Sequence, residues 1–178
     1  PPLWSGVMSR IVSLWLPAWS IDRLRQSSPR LVPECRPFVL VSRGAHGHFI
    51  HAANNSAITA GVCIGKSLAD VRAALPELSV RAAEPECDAS ALLKLTRWLG
   101  RYGTLRNRDG HDGAWIDISG VAHLYGDEAG LLDDLMQRLT RFGVTVRAGL
   151  ADTLGAAHAL ARWQATAHRP FAIVPRVS

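Results

Sequence analysis

The chain has 178 residues, 48% of them apolar and 20% charged, which is enough to bury a sizeable core and too apolar for a disordered chain. No apolar run approaches the ~18 residues that a membrane helix needs, and Arg10, Pro17, Asp22 and Arg23 interrupt the richest apolar stretch, so a membrane protein is excluded. Cys35, Cys63 and Cys87 form no CxxC pair, which argues for reduced thiols in the cytoplasm rather than a disulfide framework or a zinc knuckle. The net charge of +5 rests on 20 basic residues, of which only Lys66 and Lys94 are lysines. Guanidinium forks suit phosphates, but an arginine bias with abundant alanine follows equally from a GC-rich gene. No dense basic cluster stands in the sequence, so charge alone does not assign a nucleic-acid partner.

Residues 1–8 carry no periodic signal and read as an N-terminal extension or tag, with Met8 a possible natural start. From Arg10 the pattern predicts a strand (RIVSLWL), a break at Pro17–Trp19 and a short helix from Ser20 to Arg25. Pro37–Ser42 and His48–Ala53 read as strands joined by a hairpin loop at Arg43–Gly47, followed by a short helix over Asn54–Ala60. Gly61 to Gly65 break the pattern, and Ser67 then caps a helix carrying Leu68, Val71 and Leu75 until Pro76 stops it. Leu78–Ala82 is a short strand, and a longer helix over about Cys87–Gly100 places Leu92, Leu95 and Leu99 on one stripe. Strands at Thr104–Arg108 and Gly113–Ser119 flank the Asp109-Gly110 turn. Asp127 and Glu128 open a helix that Gly143 closes. Val144–Leu150 then reads as a strand, Asp152–Ala167 as a helix and Phe171–Val174 as a last strand. Mixed hairpins and helices predict an α+β sheet covered by helices, not a doubly wound parallel sheet.

Candidate chemistry is sparse. Gly61-Val-Cys-Ile-Gly65-Lys66-Ser67 resembles a phosphate-binding loop but is one residue short of the motif, and reads as a glycine turn ahead of a helix. His46 and His48 share a strand face, but His51 lies on the other and no cysteine or carboxylate stands at ligand spacing, so no metal site is assigned. Neither a GxSxG elbow nor a Cys-His signature is present. Asp109, Asp112 and Asp117 straddle the second hairpin, where paired carboxylates could hold Mg²⁺ for phosphoryl transfer. The plainer reading is that Asp109 and Asp112 build the turn.

Taken together, several segments resemble the first two domains of a Y-family (translesion) DNA polymerase. The most specific is His51-Ala-Ala-Asn-Asn-Ser-Ala-Ile-Thr-Ala-Gly61-Val62 with Gly65, Ser67-Leu-Ala-Asp70, Arg72 and Leu75-Pro-Glu-Leu78, which is similar to the fingers of that family. Trp115-Ile-Asp117-Ile-Ser-Gly120 and Val146-Arg-Ala-Gly149-Leu-Ala151 are similar to two of its palm strands. The resemblance implies an α+β palm, with an antiparallel or mixed sheet, over about 9–18 and 84–170. A small α/β fingers domain over 19–83 is inserted after the first palm strand, and 171–178 begin a truncated thumb.

Against that family the departures carry the functional expectation. Trp15 and Pro17 stand where active members place first-strand acids. Gly110, His111, Asp112 and Gly113 match the catalytic Ser-Ile-Asp-Glu, so that Asp112 alone keeps its carboxylate. The triphosphate-binding tyrosine and arginine match Asn55 and Ile58. The expectation is therefore that catalytic, nucleotide-binding and metal residues are all lacking, Mg²⁺ being a cofactor only of active relatives. By strand parity the Trp15 indole should lie beside Asp112, and Trp15→Asp with Gly113→Glu should create a divalent-cation site without restoring polymerisation. Leu14-Trp-Leu-Pro-Ala-Trp-Ser-Ile-Asp-Arg-Leu24, Asp117–Gly126 and Gly149–Arg162 further resemble a catalytically silent branch of the family. Its implied role is a scaffold of a bacterial damage-induced mutasome at the nucleoid. There it would join an error-prone C-family polymerase, the RecA-like protein ImuA and the sliding clamp, with weak DNA contact and the clamp reached through parts outside this chain. A weak nucleotidyltransferase using Asp112 with Asp109 or Asp117, or a plain DNA-binding module, are the alternatives.

Overall fold

The computed structural model describes residues 9–175, so the predicted extension at 1–8 and the last residues at 176–178 lie outside the described part. The described residues divide into two compact units, one made of residues 9–17 and 89–175, the other of residues 18–88.

The first unit is built on a five-stranded sheet. Its strands are β1 (Ile11–Trp15), β5 (Arg106–Asp109), β6 (Gly113–Asp117), β7 (Arg147–Ala151) and β8 (Phe171–Ile173), in the order β5-β6-β1-β7-β8. β1 runs antiparallel to both neighbours, β6 and β7, while β8 is parallel to β7. Alternation along β1 sorts its side chains. Val12 and Leu14 share one buried face with Ile116, Ala114, Leu150 and Ala148, the residues opposite them in register. Ile11, Ser13 and Trp15 share the other face with Trp115, Gly113, Gly149 and Arg147. Helix α6 (Leu154–Ala159) lies on this second face, where Ala157 and Leu160 pack against Ile11 and Ala151. Gly149 makes that seating possible, since a Cβ there would stand 2.1 Å from the Ala157 carbonyl oxygen.

The predicted helix over Asp152–Ala167 is shorter than the pattern suggests. Thr153 caps α6 by accepting from the Ala156 amide, and from Leu160 to Gln164 the backbone widens into a π turn. The remaining helices of this unit are the C-terminal part of α4 (Pro85–Trp98), which runs on into a 3₁₀ turn over Leu99–Arg101, and α5 (Glu128–Arg141). In α5 the buried Leu131, Leu132, Leu135, Met136 and Leu139 form the apolar stripe, and Asp127 caps its N-terminus by accepting from Gly130.

Arg10 is the largest fully buried side chain among the described residues, and its charge is satisfied by a fork onto Glu128 (2.6 and 2.8 Å), Asp152 (3.1 Å) and the Val174 carbonyl (2.7 Å). The start of α5 and the loop after β7 are thereby tied to the entry of β1. The hydrogen bonds to Glu128 raise the Arg10 pKa, burial opposes them, and the two carboxylate charges add to the rise.

The second unit holds a three-stranded sheet, β3-β2-β4, with β2 (Phe38–Gly44) antiparallel to β3 (Gly47–Ala53) and parallel to β4 (Ser79–Ala82). One face packs Val39, Val41 and Ile50 against α2 (Asn55–Thr59) and α3 (Leu68–Ala74). The other packs Phe38, Leu40 and Ala52 against Ile21 and Leu24 of α1 (Trp19–Ser27). Buried Asn54 caps α2 through the Ala57 amide, accepts from Phe38 N and donates to the Pro33 and Arg36 carbonyls. Buried Asp88 accepts from Ser20 and Arg23 of α1.

Candidate functional site

The turn between β5 and β6 is closed by Gly110 at φ +65°, a left-handed conformation in which glycine is unstrained. Across from it, Gly113 pairs with Trp15 in register. A Cβ on Gly113 would stand 2.9 Å from both the Asp109 and the Leu14 carbonyl oxygens, so glycine lets three backbones close up. Leu16 N donates to the Asp112 carbonyl (2.8 Å), which extends the β1–β6 pairing past the strand and brings the Asp112 side chain next to the end of β1.

Both oxygens of the Asp112 carboxylate are engaged. The Trp15 Nε1–H donates to Oδ2 across 3.0 Å, and Arg162 forks onto the pair with Nη2 to Oδ1 at 2.8 Å and Nη1 to Oδ2 at 3.2 Å. The Trp15 ring in turn carries the guanidinium carbons of Arg147 and Arg162 at 5.1 and 5.4 Å from its centroid, a range in which a ring quadrupole attracts a cation. Asp109, one turn away, pairs with His158 of α6 at 2.6 Å. Burial alone would push the Asp112 carboxyl up, but the Arg162 hydrogen bonds and charge, with the Trp15 donor, outweigh it and hold the group below its ordinary value. The same bonds raise the Arg162 pKa, against burial.

This arrangement does not fit a pair of divalent cations. Such ions need anionic or carbonyl oxygens with free lone pairs, and here one guanidinium supplies the positive charge while an indole takes a further lone pair. Among the described residues no group of three His, Cys, Asp or Glu side chains stands close enough to hold a metal ion. Asp117 does not join the cluster: it lies at the opposite end of β6, paired with Ile11, and accepts from the Ser119 amide and hydroxyl. Pro17 falls in the turn beyond β1.

The remaining sequence candidates lie in the second unit. Asn55 and Ile58 are exposed on α2. In the glycine turn, Gly61 and Gly65 adopt φ of +89° and +85°, and the amides of Gly61, Gly65 and Lys66 donate to the Ile58, Ile50 and Cys63 carbonyls. Those donors are therefore spent and cannot cradle a phosphate. His46 and His48 are exposed on the β2–β3 hairpin, and His51 is half-buried. In the sequence Arg162 stands only as the end of the segment Gly149–Arg162. Nothing in its spacing marks it as the partner of a residue fifty positions earlier.

The described fold matches Y-family DNA polymerases. The insertion ternary complex of Dbh DNA polymerase superposes with a TM-score of 0.79 at 15% identity over 93% of this chain and 48% of that one. DinB from Sulfolobus solfataricus superposes with a TM-score of 0.75 at 14% identity over the same shares. The architecture is thus an α+β palm-like unit with an inserted small α/β fingers-like unit. The impB/mucB/samB family model matches residues 14–162, and the chain belongs to that family. It is also 45% identical over 103 residues to Protein ImuB of Caulobacter vibrioides (strain NA1000 / CB15N), a match over 58% of this chain and 22% of that protein. Protein ImuB of strain ATCC 19089 / CIP 103742 / CB 15 matches equally. The chain spans about half the length of the polymerases it superposes on, and the match covers less than a quarter of the ImuB proteins.

Proposed function

We propose that this chain belongs to a non-catalytic, polymerase-like scaffold for translesion synthesis, working at damaged DNA in the bacterial nucleoid. In this reading Trp15, Pro17, Asp112 and Gly113 occupy vestigial catalytic positions, and Asn55 and Ile58 vestigial nucleotide positions. The scaffold joins an error-prone C-family polymerase, ImuA and the sliding clamp, takes no metal cofactor and touches DNA weakly. The observation that carries it is the Asp112 carboxylate, whose oxygens are taken by Arg162 and Trp15. Three of about four lone-pair sites on this carboxylate are taken and its charge is matched by a guanidinium, which disfavours metal-assisted phosphoryl transfer there. The 45% identity to Protein ImuB supports the assignment to that branch rather than to an active polymerase.

The test is primer extension by the full-length protein with Mg²⁺ or Mn²⁺, run beside co-purification of the C-family polymerase, ImuA and the clamp. The expected outcome is no extension and a retained assembly. Extension that disappears in Asp112→Ala would overturn the reading in favour of a weak nucleotidyltransferase. Salt-dependent primer–template binding without any assembly would leave only a DNA-binding module.

A further inference from the structure

The cations that look scattered in the sequence converge on one side of the first unit, where α4 ends against the end of α5. On α4 and its 3₁₀ extension, Lys94, Arg97 and Arg101 recur at three- and four-residue spacing and share a face. Arg138 and Arg141 do the same on the last turn of α5. The two ends are joined by aromatic contacts: Trp98 meets Phe142 edge-on at 5.2 Å and Tyr102 at 5.8 Å. Asp134 links them further, accepting from Tyr102 at 2.6 Å and from Arg138 at 2.8 Å. Lys94, Arg97 and Arg141 are exposed and have no carboxylate partner among the described residues. Phe142, against Trp98 where the two helix ends meet, is 50% exposed.

Cations in the last turn of a helix also answer the helix dipole, and Arg97, Arg138 and Arg141 do so here. That does not account for Lys94, a turn earlier, or for the exposed Phe142 at the meeting of the two helix ends. An exposed aromatic side chain beside cations that lack a carboxylate partner suits a protein segment bearing both an apolar group and carboxylates. A single-stranded nucleic acid asks for something different, an aromatic face open to a base. The Trp98 face carries the Arg101 guanidinium at 4.4 Å, and its edges meet Phe142 and Tyr102. Tyr102 in turn stacks on Tyr125. These rings are spent within the fold.

We infer that this face docks an acidic polypeptide segment carrying an apolar side chain, the carboxylates meeting Arg97 and Arg141 and the apolar group resting on Phe142. The inference is independent of whether the chain has catalytic activity, since the face shares no residue with the Asp112 cluster. It deepens the scaffold reading by giving it a surface and a kind of partner.

The test is fluorescence anisotropy on the full chain with three labelled probes: an Asp/Glu peptide with one central Leu, the same peptide with Ser in its place, and a single-stranded oligonucleotide of equal charge. The variant is Arg97→Glu with Arg141→Glu, and Arg97→Gln with Arg141→Gln is the milder second form. The glutamine form should melt near the parent, because the side chains are exposed, and the glutamate form slightly below it, because it puts negative charge at two helix C-termini. The expected result is that charge reversal weakens the Leu peptide about tenfold or more, as loss of complementary interface charges does. Neutralisation should weaken it less, the Ser peptide should bind more weakly than the Leu peptide, and the oligonucleotide should change least. Failure of the Leu peptide to bind, a peptide affinity indifferent to charge reversal, or a larger loss for the oligonucleotide would each overturn the inference.

Discussion

Arg162 and Asp112 meet across fifty residues of sequence in a two-point fork of 2.8 and 3.2 Å, each side chain 22% exposed. The fork joins the π turn after α6 to the β5–β6 hairpin, so one ion pair neutralises the carboxylate and fastens the helix that covers that face of the sheet. Partial exposure limits its energy, because solvent screens such pairs. Removing one partner costs more than the pair is worth, since the other is left half-buried and uncompensated.

Arg162→Met should therefore destabilise the chain by about 1–2 kcal/mol, a partly exposed version of the larger penalty for breaking a buried pair. Arg162→Met with Asp112→Asn should cost less than the sum of the single changes, by roughly 0.5–1 kcal/mol of coupling. Urea denaturation of the four proteins measures both. Strict additivity would show that the fork contributes no coupling.

The same pair sets a pH dependence. The Asp112 carboxyl is held below its ordinary value in the folded chain, so between the folded and unfolded pKa values the unfolded state binds more protons and stability rises with pH. The contribution is complete above about pH 4, the ordinary carboxyl range, and is lost as pH falls through the lower folded value. Asp112→Asn should flatten that limb of the stability profile below about pH 4 and leave neutral pH-dependence unaltered. An unchanged acid limb would assign it to other carboxylates.

What the sequence made legible follows from local chemistry. Asp127 and Ser67 are caps by residue type and position, and the leucine stripe of α5 has helical spacing, so both were readable and both helices form. Strand parity was enough to place Trp15 beside Asp112. Arg10 reads in the chain only as an interruption of an apolar run, yet it is buried on Glu128 and Asp152, partners more than a hundred residues away that no local pattern announces. The end of α6 was misjudged for a similar reason. Its sequence stays helix-compatible to Ala167, but the backbone opens into a π turn at Leu160–Gln164, the segment from which Arg162 reaches Asp112. The basic face at the ends of α4 and α5 is likewise invisible as a run, because its members are forty residues apart until Trp98 and Phe142 meet.

Arg10 also gives a direct stability prediction. Arg10→Lys keeps the charge but cannot reproduce a fork onto Glu128 together with bonds to Asp152 and the Val174 carbonyl. With the side chain buried, about 2–4 kcal/mol of stability should be lost, near the range for breaking a buried ion pair. A change under about 0.5 kcal/mol, the level of an ordinary surface substitution, would show that water replaces the missing donors.

Gly149 should tolerate no side chain. A Cβ would stand 2.1 Å from the Ala157 carbonyl oxygen and 2.6 Å from the Ala161 amide nitrogen, both backbone atoms that cannot swing aside. Gly149→Ala should push α6 off the sheet and destabilise the chain by about 1–3 kcal/mol, the usual cost of overpacking a core. Because α6 and its π turn carry His158 and Arg162, the contacts to Asp109 and Asp112 should loosen together. A melting temperature equal to the parent's would mean that the helix seats differently.

Restoring acids to the hairpin meets an obstacle that the sequence did not show. Gly113→Glu would place a side chain against the Asp109 and Leu14 carbonyls at 2.9 Å, so Trp15→Asp with Gly113→Glu should disrupt the strand pairing and give no cation site. The sequence-based expectation of a site from that pair of changes is revised accordingly. The positive charge beside Asp112 is already supplied by Arg162, and a cation can enter only once that guanidinium leaves. Trp15→Asp with Arg162→Ala instead keeps Gly113 and sets a second carboxylate near Asp112, where the two repel one another without a counter-charge. This variant should melt below the parent in chelator and recover in millimolar Mn²⁺. Cation at roughly a hundred times its Kd would stabilise it by about 2.7 kcal/mol. Arg162→Ala alone should show no such recovery. If Mn²⁺ leaves the melting temperature of the double variant unchanged, Arg162 is not what keeps cations out of the Asp112 position.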